Sequence, residues 1–246
     1  MLAFEIWGKF ASFRDPFTIS QNISLPIPPK TTVAGMMASI LGVEEYFGDK
    51  AFHSFEYSII PLAPISKKSF SQNYIKDYTS KTQTHINNLV KNNMDKISEG
   101  LRDKKNPQKP INREILLNPR YLIVIKDFEY ETKLEYYLKE KISKFAFFLG
   151  NSEFAGNFRY VSIEQSREVE VQQVKVDSFI LEEDLERIVF EENIRYSNLS
   201  FATMLDEERG PTAFVTVILG SQPISLEYTF ISQIECNDSI YHCRFV

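Results

Sequence analysis

The stretch Ile6-Trp7-Gly8-Lys9-Phe10-Ala11-Ser12-Phe13-Arg14-Asp15-Pro16, continued after a polar gap by Pro28-Pro29-Lys30-Thr31-Thr32-Val33-Ala34-Gly35-Met36-Met37-Ala38-Ser39-Ile40-Leu41-Gly42, organises the chain. Leu2, Phe4, Ile6, Gly8 and Phe10 alternate with residues of a second face, the period of a half-buried strand. Pro26, Pro28 and Pro29 stop a strand and stiffen the approach to a helix. Thr31 or Thr32 is the expected N-cap, its hydroxyl accepting from a free backbone N–H. Ala34, Gly35, Ala38 and Ser39 keep one side of that helix thin, so that it can lie close to a sheet.

The chemistry of this strand–loop–helix unit suits an anion. A helix N-terminus offers unpaired N–H groups and the positive end of its dipole. Lys30, Thr31 and Thr32 sit at that end, Lys9 and Arg14 at the other side of the unit, and Phe13 offers a ring on which a base could stack. The plainer alternative is a capped helix with Phe13 in the core and Lys30 in solvent.

Outward from this unit, 55–65 reads as a second strand, in which Pro61 and Pro64 point to a sheet edge or a break. Residues 121–125 form an apolar, central strand, with Asn118-Pro119 as a corner before it. Residues 134–149 carry helical spacing closed by Gly150 or Asn151, and 156–163 gives another strand. The order strand, helix, strand, strand, helix, strand predicts an α+β chain with a ferredoxin-like or RRM-like βαββαβ domain over 1–165. No RNP-type stacking signature supports base stacking on its sheet face. Residues 166–246 form a β-rich C-terminal region with strands at 168–176 (a slip at Gln172-Gln173), 194–201, 212–219, 224–230 and 239–245. Glu182-Glu183-Asp184 and Asp206-Glu207-Glu208 read as solvated loops or, alternatively, as docking points for a basic neighbour.

Between the two central strands lies a long insertion, about 66–110. It holds nine Lys and one Arg against three Asp and one Glu, so this segment carries +6 in a chain of net charge −5. Phe70, Tyr74 and Tyr78 are its spaced aromatics. A loop of this length inside a compact domain is either functional or mobile. One reading is a solvated insertion. The other is a basic arm in which Lys67, Lys68, Tyr74, Lys76 and Lys81 close over single-stranded RNA.

Hydrophobic content of 43% and charged content of 25% are those of a globular protein. No basic n-region or spanning apolar run is evident, which leads to an expectation of a cytoplasmic protein without a membrane partner. A two-residue turn at Asn237-Asp238 would pair Cys236 with Ser239 and Cys243 with Ser232, keeping the thiols apart. Neither a disulfide nor a metal site is expected, and no cofactor. Pro29-Lys30-Thr31-Thr32 lacks the glycines of a phosphate loop, which excludes ATP hydrolysis of that type. Metal-independent RNA cleavage would need a base and a cation, and His85 beside Tyr78 and Lys81 could be assembled into such a set.

Gly8–Arg14, Leu25–Gly42, Arg113–Tyr121 and Phe148–Phe154 together resemble the signature of the Cas-five family, part of the RAMP superfamily of CRISPR systems. The resemblance implies a non-catalytic RNA-binding subunit of a type I Cascade complex, most similar to the type I-B branch, in antiviral defence. Such a subunit grips the 5′ handle of the crRNA and caps the filament of backbone subunits. It also contacts the large subunit, and through it target DNA. By this resemblance Lys9, Ser12, Phe13, Arg14, Lys30, Thr31 and Thr32 belong to the RNA site, and the insertion to a thumb-like arm. One branch of the family, type I-C, cuts precursor crRNA; the Lys-His neighbour pair it uses has no counterpart here. A mainly structural, subunit-bridging protein is the remaining alternative.

Overall fold

The computed structural model describes residues 1–18, 21–75, 86–95 and 108–246. The chain is α+β and dominated by strands. Its first strand, β1 (Leu2–Gly8), leads through short β2 (Phe10–Ala11), β3 (Phe13–Arg14) and β4 (Ser24–Leu25) to helix α1 (Lys30–Leu41). A one-turn helix α2 (Ala51–Ser54) precedes β5 (Glu56–Pro61), followed by β6 (Ser66–Ile75), β7 (Gln108–Leu117), β8 (Arg120–Lys126), helix α3 (Glu131–Lys139) and β9 (Gly156–Val161). Strands β5, β8, β1 and β9 form a four-stranded antiparallel sheet in that order. Pro61 ends β5, which is an edge strand, where a missing N–H costs no ladder bond, and Pro64 lies past the strand's end. β8 is central, as its unbroken apolar run requires.

One face of this sheet is covered by α1. Val33, Ala34, Met37 and Ala38 are buried, and so are Met36 and Ile40 on other sides of the helix. The small residues let α1 pack between the sheet and the C-terminal strands, and the same core contains Phe179, Leu199, Phe201 and Val217. The two halves of the chain therefore share one hydrophobic core.

Three expectations are corrected here. Pro29, extended at φ −66° and ψ 161°, occupies the N-cap without a side-chain cap, and both threonines lie inside the first turn. Proline sets that entry by its ring and needs no hydroxyl. Next, the helix expected over 134–149 ends at Lys139. Lys141 turns left-handed at φ 56°, and Ile142 N donates back to Tyr137 O at 2.9 Å. The chain then runs past the C-terminus of α1, where Lys144 N and Phe145 N donate to the carbonyls of Ile40 and Ser39. These otherwise unpaired carbonyls explain why the apolar residues 145–149 leave the helix. Finally, the insertion is not structureless at its base: β6 and β7 pair in unbroken register from Ser66↔Leu117 to Ile75↔Gln108, with β2 as a third strand. A single helical turn at 86–90 is described beyond it.

The remaining strands are β10 (Ile163–Val176), β11 (Ile180–Leu181), β12 (Ile188–Val189), β13 (Tyr196–Leu205), β14 (Pro211–Gly220), β15 (Ile224–Cys236) and β16 (Ser239–Cys243). β10 keeps one register against β15 on both sides of Gln172-Gln173, and its slip lies instead between Ile163 and Gln165. Asn237 and Asp238 both have positive φ, and the hairpin pairs Cys236 with Ser239 and Cys243 with Ser232, so both thiols stay free and buried. Burial pushes the Cys236 thiol up to about 11. Asp184, expected in a solvated loop, is 0% exposed and accepts from Arg244 Nε at 2.9 Å and Nη2 at 2.5 Å. Replacing Arg244 by Met leaves that carboxylate buried with Arg187 at 3.7 Å as its remaining charged neighbour among the described residues and the Leu181 N–H donating at 3.3 Å. The expected loss is about 3–5 kcal/mol, read as a lower urea midpoint with unchanged m-value.

Candidate nucleic-acid interface

The candidate interface is built around Gly150. Ser12 lies in the first strand–loop unit, donates its N–H to Leu149 O at 3.1 Å and bridges to Gly150. Gly150 has φ +89°, and a Cβ there would stand 2.0 Å from Ser12 O. Glycine alone fits. The loop that follows is closed by Phe154 N to Asn151 O at 3.0 Å and by Leu149 N to Phe154 O at 2.8 Å. This pinned loop separates two clefts.

The first cleft, of about 280 Å³, is lined by Ser12, Arg14, Asn22, Arg113, Asn151, Ser152 and Glu153. Arg14 projects exposed from β3. Arg113 comes from β7, is 6% exposed, and is held by three contacts: Nη1 donates to Gln72 at 2.9 Å, Nη2 pairs with Glu153 at 2.5 Å, and the guanidinium lies over Phe154 at 5.5 Å. Its Nε is buried with no hydrogen-bond partner among the described residues. The cleft thus presents one guanidinium with no ion pair among the described residues and one anchored guanidinium, beside amide and hydroxyl groups, a donor set suited to a phosphodiester. The second cleft, of about 390 Å³, has Thr31, Thr32, Tyr46 and Phe148 on its walls, at the first turn of α1.

The expected site residues divide accordingly. Arg14 and Ser12 line the first cleft, although Ser12 is buried and its hydroxyl donates to Glu114 O at 3.3 Å. Thr31 and Thr32 line the second. Lys9 is exposed, with its ammonium 5.6 Å from the Phe10 ring centroid. Lys67 and Lys68 stand at the foot of the β6–β7 ribbon; Lys67 Nζ is tied to Ser24 O at 2.5 Å and to Glu114 at 2.8 Å. Tyr74 pairs in backbone register with Lys109 in the ribbon. Lys76, Lys81 and His85 lie outside the described residues.

Two placements correct the expectation. Phe13 is 1% exposed and packs against Tyr121 with ring centroids 6.2 Å apart, so it offers no free face for a base. Lys30 is 8% exposed, with Nζ 5.1 Å from the Phe55 ring centroid. Burial pushes its pKa down, and Glu56 only partly offsets this. Its ammonium therefore turns into the protein and not toward an anion at the helix terminus. Asn22, Arg113, Asn151 and Ser152 were not singled out by sequence reasoning. Three of them lie in the quoted motif stretches, and that was their signal. Asn22 had none: it reaches the cleft because its backbone bridges β7, with Asn22 N donating to Asn112 O and Glu114 N to Asn22 O.

Among the described residues no cluster of His, Cys, Asp or Glu could hold a metal ion. No helix among them is long and apolar enough to cross a membrane.

The family described as "CRISPR-associated protein (Cas_Cas5)" matches residues 1–213. No curated protein matches the sequence. A solved chain described as "CRISPR RNA-guided surveillance complex" is similar over 92% of this chain and 90% of its own, with TM-score 0.54 and 12% identity. A CRISPR protein from Archaeoglobus fulgidus covers 99% of this chain and 100% of its own, with TM-score 0.49 and 12% identity. The first likeness extends to the fold.

Two measurements follow from the geometry. Gly150→Ala is expected to lower stability by at least about 2 kcal/mol, since strain and the Ser12 clash act together; thermal unfolding reads it. Lys30→Met is expected to leave the protein as stable or about 1 kcal/mol more stable at neutral pH, because it removes a buried charge. The sign with pH follows from a folded-state pKa below the ordinary 10.5: the native penalty is full at pH values below the lowered pKa and fades as pH rises toward 10.5. Wild-type stability should therefore gain on Lys30→Met over that alkaline window, in urea titrations at stepped pH.

Proposed function

Because the chain belongs to the Cas5 family of CRISPR-associated proteins, we propose that it is a non-catalytic, RNA-binding subunit of a CRISPR RNA-guided complex, gripping the 5′ handle of the crRNA. The observation that carries this reading is the Arg14–Arg113 cleft at the foot of the β6–β7 ribbon. The sheet order and the alternation of strands and helices support a ferredoxin-like N-terminal domain, with the ribbon as its arm. In this reading one handle phosphate sits between Arg14 and the Asn151–Ser152 edge. Arg113, locked by Gln72 and Glu153, directs the strand toward Lys68 and the basic segment beyond it. Thr31 and Thr32 line the second cleft, which takes a neighbouring nucleotide. The backbone and large subunits of a Cascade of type I-B-like composition are the proposed protein partners, with target DNA reached through the latter.

Arg14→Ala and Lys68→Ala are each expected to weaken handle RNA binding and to shallow its log–log salt slope by about 0.7. Lys30→Met should change neither. Filter binding to the repeat RNA, with a denaturing gel beside it, checks this. Equal affinity of both alanine variants and wild type, or a discrete cut in EDTA, overturns the reading.

A further inference from the structure

The open end of the central sheet carries a second cluster that shares no residue with either cleft. Along β1, Phe4 and Ile6 face the helices, so Ala3, Glu5 and Trp7 face the other way. β15 and β16 cover the Ala3 end of that face, where Ile234, Cys236 and Cys243 pack with Leu122, Val124 and Val161. Trp7, at the other end of that face, is half-buried and does not belong to this cluster.

There Glu5 is 3% exposed, and both its oxygens are taken. Arg120 Nε donates to Oε1, while Arg159 Nε and Nη2 reach Oε2 at 2.7 and 2.5 Å. The acid is buried, yet Arg120 and Arg159 remain 48% and 50% exposed. Neither Nη of Arg120 has a partner among the described residues. One carboxylate therefore locks two guanidinium groups in place and leaves a net positive pair facing out over a hollow of about 180 Å³. Trp7 is the cross-strand neighbour of Arg120 on one side and of exposed Asn157 on the other, on the same face. Anchored arginines next to an indole match single-stranded nucleic acid, which offers a phosphate and a base face at adjacent positions. An acidic peptide would use the arginines and leave the indole idle.

We propose that Trp7, Arg120 and Arg159, braced by Glu5, form a second contact for single-stranded nucleic acid, with a phosphate on the arginine pair and a base on the indole. The contact does not depend on the handle reading above.

Trp7 is the only tryptophan, so its emission reports on this face. The full chain is titrated with short oligouridylate and, separately, oligothymidylate. Saturable quenching is expected, and the tighter of the two assigns RNA or DNA as the source. A triple variant, Glu5→Gln with Arg120→Gln and Arg159→Gln, removes the charges without leaving a buried carboxylate unpaired; binding should fall about tenfold or more. Quenching should persist in Arg14→Ala, so failure of the handle site and failure here are told apart. Absent quenching in the folded protein, or equal affinity in the folded triple variant, overturns the proposal. So does oligoglutamate quenching as well as the oligonucleotides, which would make this a docking point for an acidic protein.

Discussion

At Leu149 and Gly150 the sheet, the first loop and the candidate clefts meet without slack. A Cβ on Gly8 would stand 2.7 Å from Leu149, and one on Gly150 would overlap the Ser12 carbonyl. Leu149 is fully buried in the main core while its neighbour bends away in left-handed geometry. Packing demands the leucine on one side of the chain and a bare backbone on the other. Arg14 and Asn151 come to line one cleft because this junction brings the first loop against the chain at Gly150. Close-packed interiors transmit such constraints directly, since a shift at one contact has nowhere to be absorbed.

Helix α1 extends the constraint to the rest of the fold. Most surface helices bury one stripe, but α1 buries nearly every side, against the sheet below and β13 beyond. That explains why its small residues matter: they set how closely two layers approach. It also explains why Lys30 is drawn inward. Lys30 starts the helix on a buried side, away from the cleft that Thr31 and Thr32 line, and the Phe55 ring becomes its neighbour.

Much of this was legible in the sequence because it depends on local rules. Alternation gave β1, the prolines put β5 at an edge, and the Asn237-Asp238 turn set the cysteine register. The failures share a cause. Residues 140–149 have helical spacing, but the unpaired carbonyls of Ser39 and Ile40 claim their N–H groups, a contact across more than a hundred residues. Phe13 was left between a stacking ring and a core residue, and Lys30 was read as accessible, because a sequence shows residue type and not which layer covers it. Asn22 was invisible for the same reason. Arg14 was legible because a short edge strand gives an arginine few places to go but outward.

The placement of charge suggests how an acidic chain can hold a polyanion. Several of its structured cations are tied down: Lys67 to Glu114, Arg113 to Glu153, and Arg120 and Arg159 to Glu5. Each pairing lowers the local positive charge and fixes the direction of the remaining donors. Such a surface gives up some long-range attraction, which depends on summed charge, in favour of positioned hydrogen bonds, which depend on geometry. Long-range capture then falls to the basic insertion, residues 66–110, which carries +6 in sequence. A division between a basic segment that attracts and anchored guanidinium groups that position is consistent with a net charge of −5, and it puts specificity in the rigid part of the protein.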